Sequence, residues 1–308
     1  MRVRVLGSAA GGGYPQWNCN HPNSRRARAG DTAAPQRTQS SLAVSADGVD
    51  WVLFNASPDL RQQINDTPAL HPRDALRESP IKAVLLTNAD VDHVAGLLNL
   101  RESQPLRVYA TQRVLSVLAA NSIFNVLNPS FVTREAIALE QECALTRPDG
   151  SALGLSVVPF AVPGKVALWL EDATGGANFG TVEEDTIALE VRSAQGSRFF
   201  YIPACAQMTP ALAARLRGAA LVFFDGTLYT DDEMIRDGVG LKTGSRMGHM
   251  SVSGPQGTLA AFAGLAVQRR VFIHINTTNP ILIADTPERA VVEAAGWEVA
   301  YDGMQIEI

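Results

Sequence analysis

The chain has 308 residues, of which 46% are hydrophobic and 19% are charged, and its formal net charge is -5. This composition is typical of a compact soluble protein with a substantial core. The absence of a long basic run excludes nucleic acid as the main partner, and no run of about 18 apolar residues predicts a membrane span. The three cysteines are widely spaced and form no CxxC pair, which favours a reducing cytoplasm over a disulfide scaffold.

Short apolar runs and amphipathic runs succeed one another along the chain. The opening Arg2–Leu6 alternates polar and apolar residues, which predicts a first strand rather than a signal peptide. Further strands are predicted at Ser41–Ser45, Trp51–Asn55, Ala83–Thr87, Leu106–Ala110, Leu155–Ala161, Asp185–Val191, Arg198–Ile202, Ala220–Asp225, Arg270–Asn276, Trp297–Tyr301 and Gln305–Ile308. Helices are predicted at Asp59–Asn65, Val94–Arg101, Gln112–Ala120, Pro210–Leu216, Ser253–Ala263 and Pro287–Ala295.

The order of these elements is β-β-β at the start, then alternating β and α, then β-β, and finally βα again. This order favours two mixed β-sheets packed face to face with helices outside, an α/β (α+β) architecture, over one doubly wound sheet. Segments 145–154 and 172–181 are predicted to be surface insertions rather than linkers. Because the sequence shows neither an internal repeat nor a low-complexity tract, residues 1–308 are predicted to form a single domain.

The stretch LLTNADVDHVAGLL, residues 85–98, places polar groups between a predicted strand and a predicted helix. Asp92 followed by His93 is explained as a helix N-cap and a first-turn residue. That interpretation leaves Asp90 crowded against a second carboxylate, a repulsion that a divalent cation would remove. Strand ends of this kind face a common crevice in layered α/β folds, so the stretch predicts a metal site.

Other predicted strand ends and loops carry groups of the same kind. Asp59 follows the strand in VLFNASPD, and Asp225 ends the apolar strand in LVFFDGT. His274 lies within the buried-looking VFIHINTTNP, where a neutral imidazole needs a partner or a metal. His249 comes from the Gly-rich loop GSRMGHMSVSG just before a helix. Each position alone is ordinary, but together they indicate a shared site.

The glycine-rich stretch GSAAGGGYPQWNCNHP follows the first predicted strand. It fits neither G-x-G-x-x-G nor a P-loop, so a tight backbone crossing near a pocket is favoured over nucleotide binding. Cys19 and His21 are close enough to share a small metal site. Two ligands do not complete a tetrahedral zinc site.

These residues together resemble the metallo-β-lactamase superfamily, whose signature T-H-x-H-x-D-H-x-G follows a strand. Residues 87–96 read TNADVDHVAG, so Asn88 and Asp90 stand where the first two histidines would be. The mid-chain loop FAVPGKVALW has Gly164 and Lys165 but no third histidine. The resemblance implies an αββα sandwich over most of the chain, with metal bound at one edge between the sheets.

The resemblance also implies that the first of two metal sites has been lost. Asp92, His93 and His274 would remain as ligands of one ion, with Asp225 available and Asp90 able to reach in. Two histidines with carboxylates and vacant positions are typical of mononuclear non-haem Fe(II), whereas a two-metal hydrolase uses both ions. Because a lone zinc can hydrolyse with such ligands, a metal-dependent hydrolase stays open as an alternative.

At closer range, stretches such as GSAAGGGYPQWNCN, KTGSRMGHMSVSG and VFIHINTTNP are similar to the protein B family of pyrroloquinoline quinone (PQQ) biosynthesis. This resemblance implies a cytoplasmic hydroxylase that uses Fe(II) and O2. Its substrate would be the tyrosine ring of a small molecule, a crosslinked Glu-Tyr diamino acid cut from a precursor peptide. The iron ligands would be Asp90, Asp92, His93 and His274. An older view of the family implies instead a soluble carrier that moves PQQ or its precursor to the periplasm.

The same resemblance bears on a structural zinc. Many relatives carry a C-x-C-x-x-C zinc knuckle, and the corresponding positions here are Cys19, His21 and Ser24. A structural zinc in this chain would therefore need Cys19, His21 and His249 as ligands.

The implied substrate carries carboxylates, which basic and amide side chains would bind. Lys165, Arg246 and Asn279 are the candidates for this role, with solvated surface positions as the alternative for each. A homodimer is a further expectation.

Overall fold

Two seven-stranded mixed sheets dominate the computed structural model, which describes residues 1–172, 174 and 179–308. The first sheet has the strand order β14-β1-β2-β3-β4-β5-β6, and the second has the order β13-β12-β11-β10-β9-β8-β7. The strands are β1 (Arg2–Gly7), β2 (Ser41–Ser45), β3 (Trp51–Phe54), β4 (Ile81–Leu85), β5 (Leu106–Ala110), β6 (Val132–Ala136), β7 (Cys143–Thr146), β8 (Ala152–Ala161), β9 (Ile187–Ser193), β10 (Arg198–Ile202), β11 (Leu221–Asp225), β12 (Arg269–Ile273), β13 (Trp297–Val299) and β14 (Gln305–Glu307).

Each sheet is antiparallel in one half and parallel in the other. Strands β14 to β3 and β7 to β10 pair antiparallel, whereas β3 to β6 and β10 to β13 pair parallel. The carboxyl ends of neighbouring parallel strands lie at the same edge of a sheet. Polar residues that follow β3, β4, β11 and β12 are thereby gathered in one region.

Helices cover the outer faces of both sheets. Three of the N-termini are capped by the hydroxyls of Thr111, Thr209 and Thr286, which accept hydrogen bonds from backbone amides of the first helical turn. The α-helices are α1 (Pro22–Arg28), α2 (Leu60–Asn65), α3 (Val91–Val94), α4 (Gln112–Ala120), α5 (Pro210–Leu216), α6 (Glu233–Arg236), α7 (Gly244–Met247), α8 (Thr258–Phe262) and α9 (Pro287–Ala294).

Strand alternation divides the apolar side chains between the layers. Phe223 of β11 points between the sheets, where Phe54 and Leu85 of the first sheet meet it in one buried cluster. Its neighbour Phe224 points outward and packs against Phe262 of α8. Burying a side chain of this size contributes about 1.5–3 kcal/mol. The predicted αββα sandwich, with two mixed sheets and helices outside, is confirmed.

Two strands were not predicted, and one loop prediction is wrong. Strand β6 is a half-buried edge strand that carries polar residues, and its alternation is weak. Strand β7 forms a hairpin with β8, so most of segment 145–154 belongs to strands and their turn rather than to an insertion. Segment 172–181 lies partly outside the described residues. No helix in the described ranges has the length and apolar character needed to cross a membrane.

Candidate metal centre

Acidic and imidazole side chains meet at the edge where the carboxyl ends of β4, β11 and β12 converge. Asp92 and His93 lie in α3, seven and eight residues beyond the end of β4. Asp225 is the last residue of β11, and His274 directly follows β12. His274 has a positive φ of 59°, an unfavourable conformation for a residue with a Cβ. The fold thus holds this imidazole in a position that the local backbone does not favour.

The turn before α3 is anchored to the end of β3. Asn55, itself at a positive φ of 63°, accepts hydrogen bonds from the amide and hydroxyl of Thr87 at 2.9 and 3.1 Å. The amide of Gly96 donates to the carbonyl oxygen of Ala56 at 2.9 Å, and a Cβ at Gly96 would lie 2.1 Å from the carbonyl oxygen of Ser57. Glycine is required here because the two backbones touch.

The first group of potential ligands consists of Asp92, His93 and His274. One nitrogen or oxygen atom from each lies within 4.8 Å of the others. The Oδ2 atom of Asp92 is 3.0 Å from Nε2 of His274 and 3.8 Å from Nε2 of His93. The two imidazole rings are 5.4 Å apart between centroids and meet edge to face. This spacing suits a single ion bound between the three side chains.

The surroundings of His93 test best whether a metal ion fits this site. Its side chain is 1% exposed, and within the described residues neither ring nitrogen has a hydrogen-bond partner. Burial lowers the pKa of His93 to about 4, so the ring is neutral at neutral pH. Buried polar atoms without partners are costly, and a metal ion would satisfy a ring nitrogen. The residues fit a bound metal.

A second group, Asp225, His249 and His274, overlaps the first. His249 Nδ1 lies 2.6 Å from Oδ2 of Asp225, and its ring stacks on His274 with centroids 5.2 Å apart. The Asp225 carboxylate is already occupied, because it also accepts hydrogen bonds from the amide of Cys205 and from the amide and hydroxyl of Thr227. A carboxylate has about four acceptor positions, and these contacts use them to orient His249. The role of Asp225 as a metal ligand stays a prediction.

Thr227 fixes the orientation of His274. Its hydroxyl donates to Oδ1 of Asp225 at 2.6 Å, so its oxygen accepts from Nδ1 of His274 at 2.9 Å. Nε2 of His274 is then the nitrogen left for a metal, as is Nε2 of His249, whose Nδ1 faces Asp225. Such outer partners of ligating histidines set both the tautomer and the ring direction. Because His274 offers a single free nitrogen, the centre suits one ion rather than two.

The charge states of Asp92 and His274 also support a bound metal ion. Burial opposes ionisation of Asp92, yet His93 and the hydrogen bond from His274 lower its pKa below the ordinary range. Burial also opposes protonation of His274, but the Asp92 carboxylate raises its pKa. Without metal, a proton shared between Asp92 and His274 satisfies both groups. A metal ion would replace that proton.

Asp90 lies outside both three-residue groups, so its role as a metal ligand stays a prediction. Its Oδ1 accepts a hydrogen bond from the amide of Leu168 at 3.0 Å, and its own amide donates to Asn88. Burial and the charge of Asp92 raise the pKa of Asp90. At the third superfamily position, a Cβ on Gly164 would lie 2.7 Å from Thr186, so this backbone leaves no room for a histidine side chain.

The structure does not assemble the predicted structural zinc site. His249 lies in the metal centre described above. His21 uses Nδ1 to accept the amide of Asn23 and places Nε2 3.3 Å from Oδ2 of Asp237. Cys19 accepts a hydrogen bond from the amide of His21, and over the described ranges neither residue joins a group of three potential ligands. The predicted grouping is wrong because His249 pairs with the carboxylate at the end of β11.

The three predicted substrate contacts have different surroundings. Lys165 lines a cavity of about 560 Å³ beside the metal centre and forms an ion pair with Glu171 at 2.8 Å. Arg246 pairs with the same glutamate at 2.8 Å. Asn279 is fully buried, caps the 3-10 turn Pro280–Leu282 and donates to the carbonyl oxygen of Gly226. Its prediction as a substrate contact is wrong, because its amide holds the backbone.

Sequence reasoning missed the groups that support the cavity and the metal ligands. Thr227 orients His274, and Glu171 joins Lys165, Arg246 and Lys242 in one ion-pair cluster. The cavity is walled by apolar side chains, including Leu168, Met234 and Leu241, as well as by the metal-binding residues. It can therefore hold an aromatic ring close to a metal ion.

Comparison with known proteins agrees with this picture. A family model described as a beta-lactamase superfamily domain matches residues 50–275. Proteins named coenzyme PQQ synthesis protein B are 58% identical over 303 residues in Gluconacetobacter diazotrophicus and 56% identical over 308 residues in Xanthomonas oryzae pv. oryzae. The first match covers 98% of each chain, and the second covers 100% of each.

Solved structures show the same relationship. The crystal structure of Zn(2+)-bound PqqB from Methylobacterium extorquens has a TM-score of 0.94 and 52% identity, with 100% of each chain covered. A diphosphatase of the PhnP family, at 20% identity and a TM-score of 0.66, shares the fold and is covered over 98% of its length. With relatives more than 50% identical along its whole length, this chain belongs to the coenzyme PQQ synthesis protein B family of the β-lactamase superfamily.

Proposed function

We propose that the protein acts in PQQ synthesis as an Fe(II)- and O2-dependent hydroxylase of the tyrosine ring in a crosslinked Glu-Tyr diamino acid. The names of relatives that are 58% and 56% identical support the pathway. The observation that carries the proposal is a metal centre suited to one ion. Asn88 and Gly164 stand where a second ion would need imidazoles, and His274 offers one free nitrogen.

Each residue of the centre has a defined task in this proposal. Asp92, His93 and His274 would hold the ion, and His249 supplies a further imidazole from the opposite side of His274. Thr227 and Asp225 hold Nδ1 of His274 and of His249, respectively, which keeps each Nε2 directed away from these partners. When bound, Fe(II) supplies redox chemistry with O2 at the positions that the protein leaves open.

The cavity would position the substrate. Its apolar wall, which includes Leu168 and Met234, excludes water from the ring, and Lys165 provides a positive charge for a carboxylate. Half-buried Asp90 lies in the same wall, and its raised pKa suits a group that can hold a proton near the reacting ring. Hydroxylation converts a ring C–H to C–OH with one oxygen atom of O2. The second atom becomes water with two electrons and two protons, so the assay requires an external reductant.

The experiment is an anaerobic loading of apo protein with Fe(II) or Zn(II), followed by a synthetic crosslinked Glu-Tyr diamino acid, ascorbate and 18O2. We expect one 18O atom in the ring with Fe(II) and none with Zn(II). Hydrolytic cleavage by the zinc protein would instead identify a metal-dependent hydrolase. Stoichiometric binding without turnover by either metal form would identify a carrier, and both results would overturn the proposal.

A further inference from the structure

Three cations surround a single carboxylate beside the metal centre. Glu171 Oε1 lies 2.8 Å from Nζ of Lys165 and 3.7 Å from Nζ of Lys242. Its Oε2 lies 2.8 Å from Nη2 of Arg246, whose Nη1 is 3.3 Å from Oε1. Arg246 thus binds both carboxylate oxygens of Glu171 in the bidentate geometry that is typical of guanidinium–carboxylate pairs. We call these four residues the Glu171 cluster.

Two of the four residues of the Glu171 cluster lie in the wall of the metal cavity. Lys165 and Lys242 line the cavity together with Asp92, His93 and His274. Lys165 enters from the loop after β8, whereas Lys242 comes from the loop between α6 and α7. Two chain segments remote in sequence therefore present ammonium groups to one space, and Glu171 lies where those charges converge.

The charges of the cluster do not balance. Three positive groups against one negative group leave a formal excess of two positive charges. The side chains of Lys242 and Arg246 are 37% and 31% exposed, whereas those of Lys165 and Glu171 are 15% and 13% exposed. Water therefore reaches the cluster from the side of Lys242 and Arg246. An incoming carboxylate can replace Glu171 there because it makes the same contacts with the three cations.

We propose that Glu171 is an internal substitute for a substrate carboxylate, and that Lys165, Lys242 and Arg246 form the anion subsite from which the substrate displaces it. This inference deepens the proposed function, because the subsite shares its cavity with the metal centre. A ligand with one carboxylate only exchanges with Glu171. A ligand with two or more also neutralises the excess charge, so the subsite selects aromatic polycarboxylates.

The test compares two aromatic anions, benzene-1,3,5-tricarboxylate and benzoate, titrated into the full-length Zn(II)-loaded protein by calorimetry. We expect Glu171→Gln to bind the tricarboxylate about fivefold more tightly, because the competing charge is gone, and Lys242→Met to bind it about fivefold more weakly. The salt dependence of binding should fall in Lys242→Met. Benzoate should bind the wild-type protein more weakly than the tricarboxylate, and it should also gain affinity in Glu171→Gln because it displaces the same carboxylate.

Two matched variants control for general charge effects. Lys82 has the same 3.7 Å separation from a carboxylate, that of Asp50. Glu298 pairs with two nitrogens of Arg269, as Glu171 pairs with two nitrogens of Arg246. Lys82→Met and Glu298→Gln should leave both affinities unchanged. If Glu171→Gln does not fold, Glu171→Asp provides the comparison and should also bind the tricarboxylate more tightly.

Weaker tricarboxylate binding by the Glu171 variant would overturn the inference, since Glu171 would then position the cations rather than compete with substrate. Wild-type affinity in Lys242→Met would overturn it as well. The titration involves neither O2 nor turnover, so its outcome is separate from that of the hydroxylation assay. If the hydroxylation assay fails but the tricarboxylate affinities are as expected, only the proposed reaction is overturned and the anion subsite stands.

Discussion

The unpartnered imidazole of His93 makes a sharp prediction about stability without metal. The side chain is 1% exposed, and its two ring nitrogens lack hydrogen-bond partners within the described residues. Leucine has a similar volume and no polar atom. His93→Leu should therefore stabilise the apo protein at pH 8 by about 1–3 kcal/mol, the penalty of a buried unsatisfied polar group.

The pH dependence gives an independent measure of the same residue. The pKa of His93 is lowered by burial from 6.5 to about 4, so the unfolded chain binds a proton at this residue over a range in which the folded chain does not. Between those values the wild-type apo protein loses stability as the pH falls, by about 3 kcal/mol from this residue. The advantage of His93→Leu should grow by that amount between pH 8 and pH 4, because the variant cannot bind the proton.

With Zn(II) bound, the wild type should be more stable than His93→Leu. Zn(II) stabilises the folded chain in proportion to the logarithm of its concentration over Kd, and loss of a ligand should weaken Kd at least about 100-fold. The assay is urea denaturation of apo and Zn(II)-loaded protein at pH 8 and of apo protein at pH 4.

His71→Leu is the matched control for these measurements. The ring of His71 has hydrogen bonds to the carbonyl oxygens of Ile64 and Asn65. Loss of these hydrogen bonds in His71→Leu should lower the free energy of unfolding and leave the stabilisation by Zn(II) unchanged. The reasoning fails if His93→Leu is less stable than the wild type as apo protein at pH 8, or if it keeps the full stabilisation by Zn(II).

Three further predictions concern other parts of the site. Asp92→Asn should weaken Zn(II) binding at least about 100-fold in a chelator competition, and an unchanged affinity would show that the carboxylate is not a ligand. Gly96→Ala should destabilise the protein by about 3 kcal/mol in urea, since its Cβ would meet the Ser57 carbonyl oxygen at 2.1 Å; a wild-type midpoint would contradict the packing. Burial raises the pKa of Glu233 from 4.5 to about 7, so its protonated form favours folding and wild-type stability should fall by about 3 kcal/mol as the pH rises through this range. Glu233→Gln should lack that decline. Equal slopes of stability against pH in the wild type and in Glu233→Gln would contradict this assignment to Glu233.

Much of the fold and part of the site could be predicted from local patterns. Alternation within LVFFD and VFI separates inner from outer side chains, because successive residues of a strand point to opposite faces. Phe223 and Phe224 accordingly pack in different layers. Asp92, His93 and His274 could be singled out because polar groups at the ends of apolar strands have few structural explanations. The edge strand β6 could not be predicted, because it is only partly buried and its polar and apolar residues alternate weakly.

The sequence by itself determined the two-sheet sandwich, the loss of imidazoles at positions 88 and 164, and the strand ends that carry the ligands. Only the tertiary structure placed His249 against Asp225 rather than near Cys19, left Asp90 outside the three-residue groups and joined Glu171 to Lys242 across 71 positions. The physical reason is that strand patterns are local and repeat every two residues. Hydrogen bonds and ion pairs depend on distances of about 3–4 Å between loops, and those distances exist only after both sheets have packed.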